Sequence, residues 1–133
     1  MTWRKAITAL LLIPMALVAG YISFLWASYI SETTSSGSAY GFTVGSSKTQ
    51  SAAALTDFSQ THPKASVYVS YGSRAGDHFT VPASETQLHA LRPHDQWDIL
   101  LTGPEEFNDS VRLTFNEGRL VDIYRHRQYF ELP

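Results

Sequence analysis

The hydrophobic pattern begins with one uninterrupted apolar run, residues 6–30, which contains no charge and directly follows Arg4 and Lys5. These 25 residues would form a helix about 37 Å long, enough to cross a bilayer core of about 30 Å. Because lipid cannot satisfy backbone polar groups, we expect a transmembrane helix, kinked at Pro14. Positive flanking residues tend to stay cytoplasmic, so residues 1–5 are predicted to be a cytoplasmic stub and the chain after residue 30 to lie in the periplasm. The pattern thus predicts a single-pass protein of a bacterial inner membrane.

A cleaved signal peptide is the alternative interpretation of the same segment. It would share the positive start and the apolar stretch, and the small residues Val18-Ala19-Gly20 could form a cleavage site. The apolar run continues for ten residues past Gly20, which favours a retained signal anchor. Both interpretations place the rest of the chain on the same side of the membrane. The chain has no cysteine, which excludes a lipid attached to one.

Small residues within the apolar run are candidates for packing against another membrane helix, because they let two backbones approach closely. The alternative is that they face lipid. These candidates are Ala16, Ala19, Gly20, Ser23 and Ala27.

After the span, residues 31–38 are polar and small, which predicts a flexible tether. Residues 39–133 then carry the patterns of one small α+β domain. Ser47-Lys48-Thr49-Gln50 has the spacing of a helix capping box, and the apolar residues after it predict a helix over 47–60 that Pro63 ends. The spacing of Ser84 to Gln87 predicts a second, shorter helix over 84–91.

Period-two alternation of apolar and polar residues predicts strands over 66–71, 97–102, 111–115 and 119–127, with a short return strand at 78–81. Gly118 is expected to adopt a positive φ in a hairpin with a type I turn and a bulge. Trp97 is expected to anchor the core. The predicted fold is a three- to four-stranded antiparallel sheet with two helices packed on one face.

These elements, in this order, resemble the small lipoproteins of the BamE/SmpA type. The resemblance rests on residues 45–50 leading to Leu55, on the strand 111–115, on the turn at Gly118 and on residues 120–124. Here a transmembrane segment stands in place of the lipidated cysteine of that family. The helix-plus-sheet plan is also similar to that of β-lactamase-inhibitor proteins, which present a sheet face to another protein. Both resemblances imply binding rather than catalysis.

Composition narrows the possible partners. After the apolar run, eight basic and twelve acidic residues give a formal net charge of −4. Nucleic-acid binding calls for a basic face, which this balance does not favour. Without cysteine, the domain has neither disulfides nor thiolate zinc sites to stabilise it.

Two segments are candidates for protein binding. In the first, 124–130, the candidates are Tyr124, Arg125, Arg127, Tyr129 and Phe130. On a strand, Arg125 and Arg127 share one face and could clamp a carboxylate or a phosphate, while Tyr and Arg are enriched in interfaces. The alternative is a plain edge strand protected by charge.

The second segment is the loop after Gly103, where Glu105 and Glu106 precede Phe107. An acidic loop with one aromatic residue could plug a basic cleft. It could also hold calcium through oxygen ligands, although its spacing does not follow the calcium-loop pattern. The default is a solvated connection with Phe107 tucked inward.

No catalytic or metal site is predicted. The serines do not lie in a nucleophile-elbow pattern, and the adjacent Glu105 and Glu106 would point apart. His78, His89 and His94 lie near Asp95 and Asp98, but their spacing matches no strong metal motif. We therefore expect neither a cofactor nor enzymatic activity.

The sequence leads to one functional hypothesis and one alternative. The first is a membrane-anchored periplasmic binding module, an accessory or stabilising subunit of a larger integral membrane complex. The alternative is an immunity or inhibitor protein that neutralises a periplasmic toxin or enzyme.

Overall fold

The computed structural model describes residues 2–85, 88–104 and 106–128, except the side chain of Glu85. Three predicted binding candidates, Glu105, Tyr129 and Phe130, lie outside these residues. The chain divides into two compact units. Within the described residues, one holds 2–30 and 128, and the other holds 31–127.

Helix α1 spans Trp3–Ser28 and includes Pro14. It begins three residues before the predicted span and ends two residues before its end. It is the one helix among the described residues that is long and apolar enough to cross a membrane, with a mean hydropathy of 2.1 and none of its most apolar window buried. A signal sequence near the N-terminus would have the same properties.

The second unit is built on a six-stranded sheet whose strand order is β1-β8-β7-β6-β4-β5. The strands are β1 (Ile30–Thr34), β4 (Ser66–Ser70), β5 (His78–Pro82), β6 (Gln96–Leu100), β7 (Asp109–Asn116) and β8 (Arg119–Arg127). A separate two-stranded hairpin consists of β2 (Ser38–Ala39) and β3 (Phe42–Thr43). The pairs from β5 through β8 are antiparallel. The α+β class is confirmed, but the sheet has six strands where three or four were predicted.

Part of this difference lies in residues 31–38, for which a flexible tether was predicted. In the structure Ile30–Thr34 form the edge strand β1 beside β8, and Ser38 begins β2. The Ser31 hydroxyl lies 2.8 Å from the Tyr124 hydroxyl, and Ser35 Oγ donates to Asp122 Oδ1 at 2.8 Å. Backbone pairing needs no apolar side chain, so a polar segment can complete the edge of a sheet.

Helix α2 (Lys48–Thr61) covers one face of this sheet. The predicted capping box is confirmed, because Ser47 Oγ accepts from the Gln50 amide while the Gln50 side chain accepts from the Ser47 amide. Leu55 and Phe58 of α2 join the core formed by inward side chains of the sheet. The largest fully buried strand residues in this core are Val67, Val69, Trp97, Ile99, Val111, Leu113, Leu120 and Ile123.

Where a second helix was predicted over 84–91, Ala83–Glu85 form one turn of 3₁₀ helix and α3 spans Leu88–Leu91; residues 86 and 87 lie outside the described residues. Leu91 is fully buried, and its carbonyl accepts a hydrogen bond from Trp97 Nε1 at 3.2 Å. The same indole nitrogen lies 3.1 Å from the carbonyl of His94. Trp97 is completely buried, which confirms its predicted place in the core.

The β7–β8 turn differs in type from the prediction. Asn116 pairs directly with Arg119, so the loop contains only Glu117 and Gly118. Both have positive φ, 52° and 78°, as a type I′ turn requires. The irregularity in pairing lies within the strands instead, between Thr114 and Phe115 of β7.

Candidate functional site on the open face of the sheet

The face of the sheet opposite α2 carries a row of polar and aromatic side chains. Tyr68 pairs with Asp98, Asp98 with Arg112, and Arg112 with Tyr124. Because residues that are directly paired across strands point to the same face, these four side chains cross β4, β6, β7 and β8 in one line. We call them the transverse row.

An ion pair forms the centre of the transverse row. Arg112 Nε lies 2.7 Å from Asp98 Oδ1, and Gln96 Nε2 donates to Asp98 Oδ2 at 3.3 Å. The Asp98 side chain is 9% exposed and that of Arg112 is 47% exposed. Asp98 therefore holds the Nε end of the guanidinium at the sheet, and within the described chain the two Nη groups of Arg112 have no hydrogen-bond partner.

Aromatic side chains flank this ion pair. Phe107 meets the Tyr68 ring edge-on, with 5.1 Å between ring centroids, and the rings of Tyr124 and His126 are stacked at 6.2 Å. Leu100 is fully buried although it lies on this open face. Together these residues line a groove of about 310 Å³, which we call the sheet groove; its lining also includes Ser70, Gln96, Asp98, Ser110 and Arg112.

Phe107 belongs to this groove. It is 45% exposed, so it is neither tucked fully inward nor free of the domain. Glu106, the other described candidate of that loop, is exposed. The loop therefore contributes its aromatic residue as a wall of the sheet groove.

The predicted cluster on β8 is divided between the two faces of the sheet. Tyr124 and His126 lie on the open face, whereas Arg125 lies opposite Val111 on the face that α2 covers. Arg127, paired with Asp109, occupies the same face as Arg125, as the alternation predicted. The division separates Tyr124 from the two arginines.

Arg125 is buried rather than displayed to a partner. Its Nη1 lies 2.6 Å from Asp109 Oδ1, 2.6 Å from the carbonyl oxygen of His126 and 3.3 Å from that of Ser110. Its side chain is only 8% exposed. The Asp109 contact lies outside hydrogen-bonding geometry, so it is a charge contact between two buried groups. Arg125 thus interacts with groups inside the domain.

A second cleft, about 540 Å³, opens beside Arg125 between α2 and the sheet. Ala54, Phe58, Leu101 and Val111 contribute its apolar lining, and its polar lining includes Asp57 and His62. The Tyr40 ring lies over the Arg125 guanidinium at 5.8 Å. Arg125, which lines this cleft, is already paired with Asp109.

The small residues of α1 are exposed in the structure. Ala16, Gly20, Ser23 and Ala27 follow a spacing of four, three and four residues, which places them on one face of the helix. Ala19 lies next to that face. Within the first unit, α1 therefore presents a strip of small side chains on one helix face.

Within the described ranges, no group of three or more His, Asp or Glu side chains is arranged to hold a metal ion. His94 packs against the rings of Phe79 and Tyr71, and His78 lies beside Tyr68. These histidines make aromatic contacts in or near the sheet.

No family model, curated protein or solved structure matches this chain. The resemblance to BamE/SmpA-type lipoproteins therefore stays a prediction.

Proposed function

We propose that this protein is a non-catalytic, membrane-anchored binding module, whose domain lies in the periplasm and serves as an accessory or stabilising subunit of a larger integral membrane complex. In this proposal α1 remains in the bilayer as a signal anchor. A BamE-like role, in which a small α+β domain supports a larger assembly, fits the same topology.

The observation that carries the proposal is the open face of the sheet. The sheet buries its other face against α2, while Arg112 and Phe107 stay accessible on the open face. Tyr and Arg are enriched in the centres of protein interfaces because they combine apolar area with polar groups. A sheet face with two tyrosines around a fixed guanidinium supports binding to another protein.

The helix α1 supports attachment to membrane subunits. Its strip of small residues would let a neighbouring helix approach closely, which favours association in lipid. Arg4 and Lys5, which precede the apolar run, support a periplasmic location because positive flanking residues tend to stay cytoplasmic.

The proposal is tested by purifying the full-length protein from membranes in mild detergent and identifying the proteins that accompany it, together with its own N-terminus. We expect integral membrane subunits in stoichiometric amounts and a chain that still begins at Met1 or Thr2. A matched control replaces α1 with an unrelated span of equal length, which should lose those subunits. Recovery of the protein alone, with a mature start near Tyr21, would contradict the proposal.

The alternative function is inhibition of a periplasmic toxin or enzyme. One observation favours it: Phe107 is half-exposed at the rim of the sheet groove, where it could enter a partner's cleft. An inhibitor should protect when its domain is released from α1, whereas an accessory subunit should need the helix. Protection by the released domain, lost on Phe107→Ala, would favour inhibition.

A further inference from the structure

We propose that the sheet groove binds an acidic peptide segment of a partner protein, whose carboxylate pairs with the Nη groups of Arg112. This inference rests on the proposed binding function and specifies the chemistry of its partner.

Arg112 is oriented so that its guanidinium can bind a carboxylate. A guanidinium carries five N–H donors in a fixed planar fork. Asp98 takes the Nε side at 2.7 Å, and the described chain supplies no acceptor for the Nη groups. Asp98 is nearly buried and also accepts a hydrogen bond from Gln96, so it holds the Nε side of the guanidinium against the sheet. The Nη donors remain available to a ligand. Such a fork matches the two oxygens of a carboxylate.

The charges of the sheet groove favour a carboxylate over a phosphate. Asp98 already balances one positive charge of the groove, so a dianion such as a phosphate monoester would meet the Asp98 carboxylate as well as Arg112. A singly charged carboxylate gains the Arg112 contact with less repulsion. Ser110 lies on the same face two residues before Arg112 and lines the groove, where its hydroxyl can supply a further donor.

The spacing of the aromatic side chains matches the length of a short extended peptide. Adjacent strands lie about 4.8 Å apart, so Tyr68 and Tyr124 are about 14 Å apart across the transverse row. An extended peptide rises about 3.4 Å per residue, and about four of its residues would cover this distance. Because successive side chains of an extended peptide point to opposite sides, an acidic residue with apolar or aromatic residues two positions before and after it would place its carboxylate on Arg112 and those two residues on the aromatic walls.

The test uses the full-length protein in detergent micelles and two acetylated, amidated peptides, Phe-Ser-Glu-Ser-Phe and Phe-Ser-Gln-Ser-Phe. Peptide affinities are measured by isothermal titration calorimetry in every variant. Contact with Arg112 in the wild-type protein is followed by its Nε–Hε NMR signal, which is assigned by its absence in Arg112→Gln. We expect the Glu peptide to shift this signal saturably and to bind at least about tenfold more tightly than the Gln peptide. Arg112→Gln should remove this preference, and Ser110→Ala should reduce it.

Arg119→Gln is the matched control, because Arg119 is exposed and contacts Gly45 instead of the groove. It should leave the preference unchanged. Equal binding of both peptides would overturn the proposal. So would an Arg112 signal that moves with protein concentration alone, which would show a second copy of the chain in the groove.

Failure of this inference can be separated from failure of the proposed function. If the wild-type protein recovers the membrane subunits but binds the Glu and Gln peptides equally, the groove proposal is wrong, while the accessory role stands. If the wild-type protein recovers no subunits but prefers the Glu peptide, the groove chemistry stands and the accessory role does not.

Discussion

Arg125→Met should destabilise the domain strongly, because it leaves the buried Asp109 carboxylate without its counter-charge. The two side chains are 8% and 12% exposed, and their closest nitrogen and oxygen lie 2.6 Å apart. Removing one partner of a buried pair costs about 3–5 kcal/mol. Two unit charges about 4 Å apart at an effective dielectric of about 20 attract by about 4 kcal/mol, which agrees with that range.

The assay is urea unfolding of the full-length protein, followed by the fluorescence of the buried Trp97 in a background with Trp3→Phe and Trp26→Phe. Small domains lose about 1–3 kcal/mol of stability per molar urea. Arg125→Met should therefore lower the unfolding midpoint by about 1–5 M. Arg119→Met, an exposed change on the same strand, should cost less than about 0.5 kcal/mol.

A double variant tests the physical cause. Asp109→Leu combined with Arg125→Met removes both charges and should recover most of the loss, because an apolar pair often replaces a buried ion pair at little cost. The reasoning is refuted if Arg125→Met costs no more than Arg119→Met. Arg125 would then have no structural role, and it would return to the candidates for partner binding.

Three further changes test local features, each measured by a urea midpoint, which is followed by Trp97 fluorescence for the first two and by circular dichroism for Trp97→Phe. Ser47→Ala removes the helix cap and should cost about 1 kcal/mol, whereas Ser46→Ala should be nearly neutral. Gly118→Ala should cost about 1–2 kcal/mol because φ is 78° there; an equal loss at Gly76, which has no positive φ, would contradict this cause. Trp97→Phe keeps a ring but removes the indole donor, and should cost about 1–3 kcal/mol; a neutral effect would show that its two carbonyl contacts contribute nothing.

The parts of the fold that sequence could predict are those with a local signal. The capping box at Ser47 and the helix after it depend on residues three or four apart, and the β7 and β8 strands alternate cleanly between apolar and polar residues. Trp97 was predicted in the core because it begins such an alternating run. These predictions are confirmed because each feature is determined by residues close together in sequence.

The candidate site depended on information that no short segment carries. Alternation correctly placed Arg125 and Arg127 on one face, but it does not say which face α2 covers. The Asp98–Arg112 pair depends on the register between β6 and β7, which a loop of eight residues does not fix. One charged residue at an outward position of each strand, Asp98 in β6 and Arg112 in β7, was the one available signal.

Strand β1 has a consequence for the order in which the domain can form. Ser31 on β1 meets Tyr124 on β8, 93 residues later in the chain. Pairs so distant in sequence form late, because the chain between them must first become ordered. The strand that is synthesised first is therefore the last to be paired. Until β8 has been made and placed, this side of the nascent sheet has no neighbour, and a chaperone or an assembly partner has that interval in which to act on it.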